Sequence, residues 1–239
     1  MKEKKIELEE IGEVTFVKSK RAKFARITIK SGGVVRVTIP FLMPMAYAKK
    51  FVEEKHSWIV KHREDQRVKN PLLIFDENTV YATQSHKLEI YRVDSGNFQS
   101  KISSSRIQIL VPKFVDIYKN EVQEFIQKAI VETWRKEAKQ LLPSRTKELS
   151  EKFGLEYVSV SIRNTTSRWG SCSFHNKISL SLHLMKLPAQ LRDYVILHEL
   201  AHTIHKHHQP PFWIFLDTLT NGRAKHLDKE LKQFSTRTF

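Results

Sequence analysis

A single cysteine, Cys172, stands in 239 residues, so an internal disulfide is excluded and a reducing compartment is expected. No stretch approaches the ~18 uninterrupted apolar residues of a membrane-spanning helix. The opening residues, Met1-Lys2-Glu3-Lys4-Lys5-Ile6-Glu7, lack the apolar region of an export signal, and a cytoplasmic location is the expectation. No internal repeat or low-complexity tract stands out. Acidic residues are scarce in places: Lys18 to Arg36 holds seven basic residues and no acidic one, and Tyr157 to Arg192 five basic and none acidic. The formal charge of +15 attracts phosphate backbones or acidic substrates at long range, yet it also serves solubility alone. No helix-turn-helix or zinc-finger spacing accompanies it.

What is present in quantity is apolar surface, 40% of residues, enough for a sizeable core in one or two domains. Val14–Lys18, Phe24–Lys30 and Val34–Pro40 read as strands, the last two joined by a turn at Ser31-Gly32-Gly33. Pro44 marks a helix start, and Ala48, Phe51, Val52, Trp58 and Ile59 recur at helical spacing as far as about Gln66, with Trp58 expected in the core. Leu72–Phe75, Lys87–Val93, Phe98–Ile102 and Arg106–Val111 read as further short strands. From about Ile117 to Phe153 the period is helical, with Pro143 expected to kink or divide the helix and Gly154 to end it. Two alternating stretches follow, Tyr157–Asn164 and Lys177–Leu184. The fold class expected is α+β: a β-rich N-terminal region over 1–113 with one helix, leaning on a C-terminal domain over 114–239.

The chemistry concentrates in His198-Glu199-Leu200-Ala201-His202, preceded by the apolar run Tyr194-Val195-Ile196-Leu197. Residues four apart share a helix face, so His198 and His202 point at one place and supply half of a tetrahedral zinc shell. Glu199 between them need not ligate; it is placed to take a proton from a water at the metal and later deliver it to a leaving group. A catalytic site takes a third protein ligand, for which His205, His207 and His208 are candidates, with Asp217 and Glu230 as carboxylate alternatives. At about 1.5 Å per residue, His205 would lie roughly 10 Å along the axis from His198 if the helix ran on. The chain must therefore leave the helix, and Pro210-Pro211 shows that it ends nearby. His208 gives the metzincin ligand spacing, but His205 stands where that pattern has glycine, and no methionine follows Met185 to form its Met-turn.

Between the two alternating stretches lies a polar loop ending in Arg168-Trp169-Gly170-Ser171-Cys172. Arg168 suits a substrate carboxylate or a tetrahedral oxyanion, while the same loop could serve as a rigid turn with Trp169 plugged into the core. Cys172 is assigned no chemistry, since a lone cysteine behaves as a small buried residue. Together the Arg168–Cys172 block, the His198–His202 block, and His208 followed by Phe212-Trp213 resemble the YgjP-like metallopeptidase family. The N-terminal strands and the helix bearing Trp58-Ile59 are similar to that family too, whereas Asp76-Glu77-Asn78-Thr79 lacks the glycine expected at that turn. The resemblance implies a minimal zincin domain, with zinc held by His198, His202 and His208 and with Glu199 as general base. It also implies a likeness in outline to SprT-like and WLM proteases, which act on DNA-bound proteins.

The expected activity is therefore hydrolysis of peptide or protein amide bonds with Zn2+ as cofactor. Alternatives are a nucleic-acid-binding module with a structural or vestigial zinc site, and hydrolysis of a non-peptide amide. Lys18, Lys20, Arg21, Lys23, Arg26, Lys30 and Arg36 fall on neighbouring strands and are candidate contacts to nucleic acid without sequence preference.

Overall fold

The computed structural model describes residues 3–29, 33–69, 73–94 and 96–236, and of 65–69 the backbone only. The chain divides into two compact units, with the division after Leu73. Both mix strands and helices, and the α+β class expected from the sequence is what is found.

In the first unit, β1 (Glu3–Leu8), β2 (Gly12–Ser19), β3 (Arg26–Ile29) and β4 (Val35–Pro40) form a sheet in the order β1-β2-β4-β3. β2 runs parallel to β4, while β1 and β3 are antiparallel to their neighbours. The expected hairpin is present as β3 and β4, although residues 31 and 32 of its turn lie outside the described residues. Val35, Val37 and Ile39 are fully buried and alternate with half-exposed Arg36 and Thr38, so one face of β4 carries the core. Val14, Phe16, Val52 and Ile59 join that core. The single helix expected here is two, α1 (Met45–Glu54) and α2 (His56–Lys69), parted at Lys55. Trp58 corrects its expectation: it is 43% exposed and stacks on His62 with ring centroids 4.2 Å apart. Helical spacing put it near the buried side, but Ile59 takes the inward position.

The basic residues of this unit do not share a sheet face. Arg26 lies opposite Thr38 and thus on the side of Arg36, whereas Lys18 lies opposite Ile39 on the core side. Arg36 is also paired with Glu3, at 2.7 Å. Lys30 lies outside the described residues.

Of the strand expected over Leu72–Phe75, Leu72 lies outside the described residues and 73–75 form no strand. Phe75 is held instead by Gln123, whose Oε1 accepts from its N–H at 2.9 Å and whose Nε2 donates to its carbonyl at 2.8 Å. The turn Asp76–Thr79 needs no glycine. Asp76 Oδ1 accepts from the Asn78 N–H, Thr79 Oγ1 from the Asp76 N–H, and no residue there has positive φ. A three-stranded sheet follows, β5 (Lys87–Val93), β6 (Gln99–Ile102) and β7 (Arg106–Pro112), in the order β5-β7-β6. It belongs to the second unit, so the division between units falls well before the boundary expected near residue 113.

α3 (Asn120–Phe153) runs unbroken for 34 residues through Pro143. Pro143 removes one helical hydrogen bond, but Lys139, whose carbonyl loses its donor, is exposed and can turn to water. Gly154 then closes the helix at φ +64, a left-handed conformation that glycine adopts without cost, and its N–H and that of Leu155 cover the last carbonyls. The second sheet of this unit is β8 (Ser159–Arg163), β9 (Gly170–Cys172) and β10 (Lys177–Ser181), in the order β8-β10-β9. β10 ends at Ser181 rather than Leu184, because Leu182–Lys186 winds into a short 3₁₀ helix whose His183 N–H is accepted by Ser181 Oγ. α4 (Ala189–Ile204), α5 (Pro210–Leu219) and α6 (Ala224–Leu231) complete the chain. Arg145 of α3 grips Asp193 of α4 with two donors, at 2.9 and 2.7 Å, and fixes the register of the two helices. No described helix is long and apolar enough to cross a membrane.

Candidate metal centre

α4 is a helix with little polar surface: Leu191, Tyr194, Val195, Ile196, Leu197, Leu200 and Ala201 are all buried. Such a helix sits still because its packing on α3, β9, β10, α5 and α6 leaves it no other position, which makes it a firm support for ligands. It stops at Ile204. His205 is extended, at φ −114 and ψ 101, and its N–H still donates to the Ala201 carbonyl. The chain then doubles back and brings His208 to the motif face.

There the Nε2 of His208 lies 2.9 Å from that of His198 and 3.0 Å from that of His202. The three donor atoms all fall within 4.8 Å of one another. Nδ1 of His202 donates to the His205 carbonyl at 2.9 Å, and because that partner can only accept, the Nε2 of His202 is left with its lone pair. Three imidazole nitrogens this close cannot all be satisfied by one shared proton; a cation among them satisfies all three. Tetrahedral nitrogens about 2.0–2.1 Å from zinc lie about 3.3 Å apart, close to the spacing of the two pairs that include His208. Burial and the two neighbouring imidazoles hold His198 down to about 3, so it is neutral and ready to ligate. His208 is exposed, which leaves the site open on one side, as catalytic rather than closed structural metal sites are. The Phe212 ring stacks against His202 at 4.5 Å and lies edge-on to His198 at 4.9 Å, walling the imidazoles from below.

Glu199 is 5% exposed, and its Oε2 has no hydrogen-bond partner. Burial pushes its carboxyl up to about 8, opposed by the positive charge of Arg168. A buried carboxyl with an unpartnered oxygen, next in sequence to one of three converging imidazoles, fits a site that takes a cation and a water. Opposite Glu199 lies Gly170, whose lack of a side chain matters for space rather than for φ. A Cβ there would sit 2.6 Å from Glu199 Oε1 and 2.7 Å from its Cγ. The loop 164–169 is tied down along its length. His183 Nε2 donates to Asn164 Oδ1 at 3.0 Å, Ser181 Oγ to the Thr165 carbonyl at 2.7 Å, and the Ser181 N–H to the Trp169 carbonyl at 2.8 Å. Arg168 is exposed and its charge reaches Glu199. Trp169 is half-buried, so it is not a core plug.

The remaining candidates fall outside the cluster. The His205 ring packs on Phe215 at 5.4 Å, and His207 is exposed. Asp217 Oδ1 accepts from the Ala224 N–H and so holds the start of α6. Glu230 is on α6 and is not among the three converging residues. Cys172 is half-buried, and burial pushes its thiol up, away from the reactive thiolate. Gly170 and His183 carry roles that the sequence reading did not assign. The first was visible only as part of the block around Trp169, the second as one more histidine in an alternating stretch.

His183 is fully buried, with Nε2–H committed to Asn164 and Nδ1 without a partner. Burial lowers its pKa from 6.5 to about 4. The unfolded chain therefore takes up this proton first as pH falls, so stability present above about 6.5 is lost between there and about 4. At pH 5 the loss is about 2 kcal/mol from this group. Urea unfolding at pH 7 and pH 5 is expected to show a smaller drop for His183→Gln, which keeps a donor for Asn164, than for the parent. An equal drop would assign the pH dependence elsewhere.

Comparison with known families places the chain in its class, that of the metal-dependent peptidases. The family described as YgjP-like, metallopeptidase domain, matches over residues 23–234, and the chain belongs to it. Two solved structures are similar over a smaller part. The metallopeptidase zymogen of Pyrococcus abyssi abylysin is 23% identical over 38% of this chain and 92% of that one, with a TM-score of 0.34. That of Methanocaldococcus jannaschii jannalysin is 21% identical over the same shares, also at 0.34. No curated protein matches the chain.

Proposed function

We propose that the protein is a zinc peptidase that cleaves peptide or protein amide bonds, with His198, His202 and His208 as metal ligands and Glu199 as general base. The observation that carries this reading is the convergence of three Nε2 atoms beside a buried carboxylate whose Oε2 is unpartnered. Three neutral nitrogen donors with one open side suit zinc. When bound, zinc lowers the pKa of a coordinated water to about 7 and polarises a carbonyl. Everything else belongs to the chain. Glu199 takes a proton at its free Oε2 and hands it to the departing amine, work suited to a carboxyl whose burial raises it toward neutrality and which the charge of Arg168 draws back. Arg168, exposed at the end of its anchored loop, is placed to hold a developing oxyanion or a substrate carboxylate.

β9 is the outer strand of its sheet, with β10 on one side, so its other edge offers main-chain donors and acceptors to an extended peptide. Because Gly170 of that strand packs on Glu199, a peptide laid along the edge passes the base. Gly170→Ala is expected to keep the metal but lower kcat about 10²-fold, since the added methyl must displace the Glu199 carboxylate by about 1 Å. Zinc K-edge absorption of the loaded protein, with assays on a quenched peptide, tests both parts. Three imidazole nitrogens and one oxygen ligand are expected, all at about 2.0–2.2 Å; a sulfur at about 2.3 Å would assign Cys172 to the shell and overturn the ligand set.

A further inference from the structure

Between Glu13 and Glu53 no residue carries a carboxylate, and nine of those 39 residues are lysine or arginine. The fold brings part of this run to one end of the first unit's sheet. β2 pairs Ser19 with Pro40 of the parallel β4, so Lys20 and Arg21 leave one strand beside Phe41 and Leu42 leaving the other. β3 enters antiparallel with Arg26 opposite Thr38, which sets Lys23 and Phe24 at the same end. The Lys20 ammonium lies 5.8 Å from the centre of the Phe41 ring. Phe24 is 81% exposed, Phe41 52%, and Tyr47, in the first turn of α1, 68%. Among the described residues none of Lys20, Arg21, Lys23 and Arg26 is paired with a carboxylate.

We propose that this end of the first unit binds single-stranded nucleic acid, its cations on the phosphates and its exposed rings under the bases. Uncompensated charge explains attraction to a polyanion but not why phenylalanines stand in water among the lysines. Stacking explains both, because every base offers a flat face and stacking needs no particular sequence. Duplexes hide those faces, and nothing here is shaped to read base edges. An anionic membrane would take the rings only if they projected beyond the cations. Here the Lys20 ammonium lies over the Phe41 ring, so that ring does not project beyond its cation.

The test is fluorescence anisotropy of the full chain with a labelled oligothymidylate across a salt series. Binding is expected to weaken log-linearly with salt, by about −0.7 per phosphate contact, hence near −2 for three contacts. Lys20→Glu with Lys23→Glu is expected to weaken binding at least about tenfold and flatten the slope. Phe24→Ala, at a side chain too exposed to support the core, is expected to weaken it about tenfold with the slope unchanged. Absence of binding at low salt, Phe24→Ala binding like the parent, or equal affinity for duplex would each overturn the proposal. So would retention on phosphatidylserine vesicles by a protein that ignores the oligonucleotide. Glu199→Gln is expected to bind as the parent does, so this surface and the peptidase reading stand or fall separately.

Discussion

Glu199→Gln is expected to lower kcat/KM for peptide hydrolysis by about 10³-fold while leaving the metal content of the protein unchanged. General-base catalysis contributes about 10²–10⁴-fold, and a mid-range loss corresponds to about 4 kcal/mol of transition-state stabilisation. Glutamine has nearly the shape of glutamate, so the walls around the side chain, including Gly170, stay filled. It cannot take a proton from water, however. Burial pushes the Glu199 carboxyl up to about 8, so replacing it with a neutral amide is also expected to leave the metal-free fold no less stable. Loss of metal together with activity would instead put Glu199 among the ligands. Parallel metal analysis and kinetics on one preparation separate the two results.

Nearly as large an effect is expected on metal affinity from the third histidine. His208→Ala and His202→Ala should each lower zinc affinity by more than the roughly 10–100-fold that follows loss of an outer-shell partner. Both remove an Nε2 from the converging set. His205→Ala should change affinity little, because what His205 gives the site is its backbone carbonyl, accepting from His202 Nδ1, and alanine keeps that. His207→Ala should also change little, its ring being outside the cluster. Competition against a chelator of known affinity measures all four. A variant at His205 that emptied the site while His208→Ala stayed full would reverse the assignment.

The metal centre was legible in the sequence to the extent that it is local. His198 and His202 share a face because a helix has 3.6 residues per turn, whatever surrounds it. That the helix must end before His208 was legible from the reach of His205 and from Pro210-Pro211. What was not legible depended on contacts between distant segments. The closeness of Gly170 to Glu199 joins residues 29 apart, and no spacing rule announces it. Pro143 reads as a break, yet α3 continues through it, and Lys139, whose carbonyl loses its donor, is an exposed residue. Trp58 reads as core because it is large and apolar, but its neighbour Ile59 holds the inward place and Trp58 lies against His62. β1, charged and exposed along much of its length, carries no alternating signal and exists because β2 offers it an edge.

The basic run was legible as charge but not as a surface. Strand register sends Lys18 and Arg36 to opposite faces, and only the meeting of two loop ends shows where charge and exposed aromatics coincide.

One measurement bears most directly on the metal-dependent base catalysis proposed here: peptide turnover by chelator-stripped protein as zinc is added back. The rate is expected to rise in proportion to zinc and to level at one equivalent per chain, with Glu199→Gln taking up the same equivalent and remaining inactive. Turnover that persists after stripping, or an equivalent of bound zinc with no turnover in the parent protein on any peptide of a broad library, would contradict it.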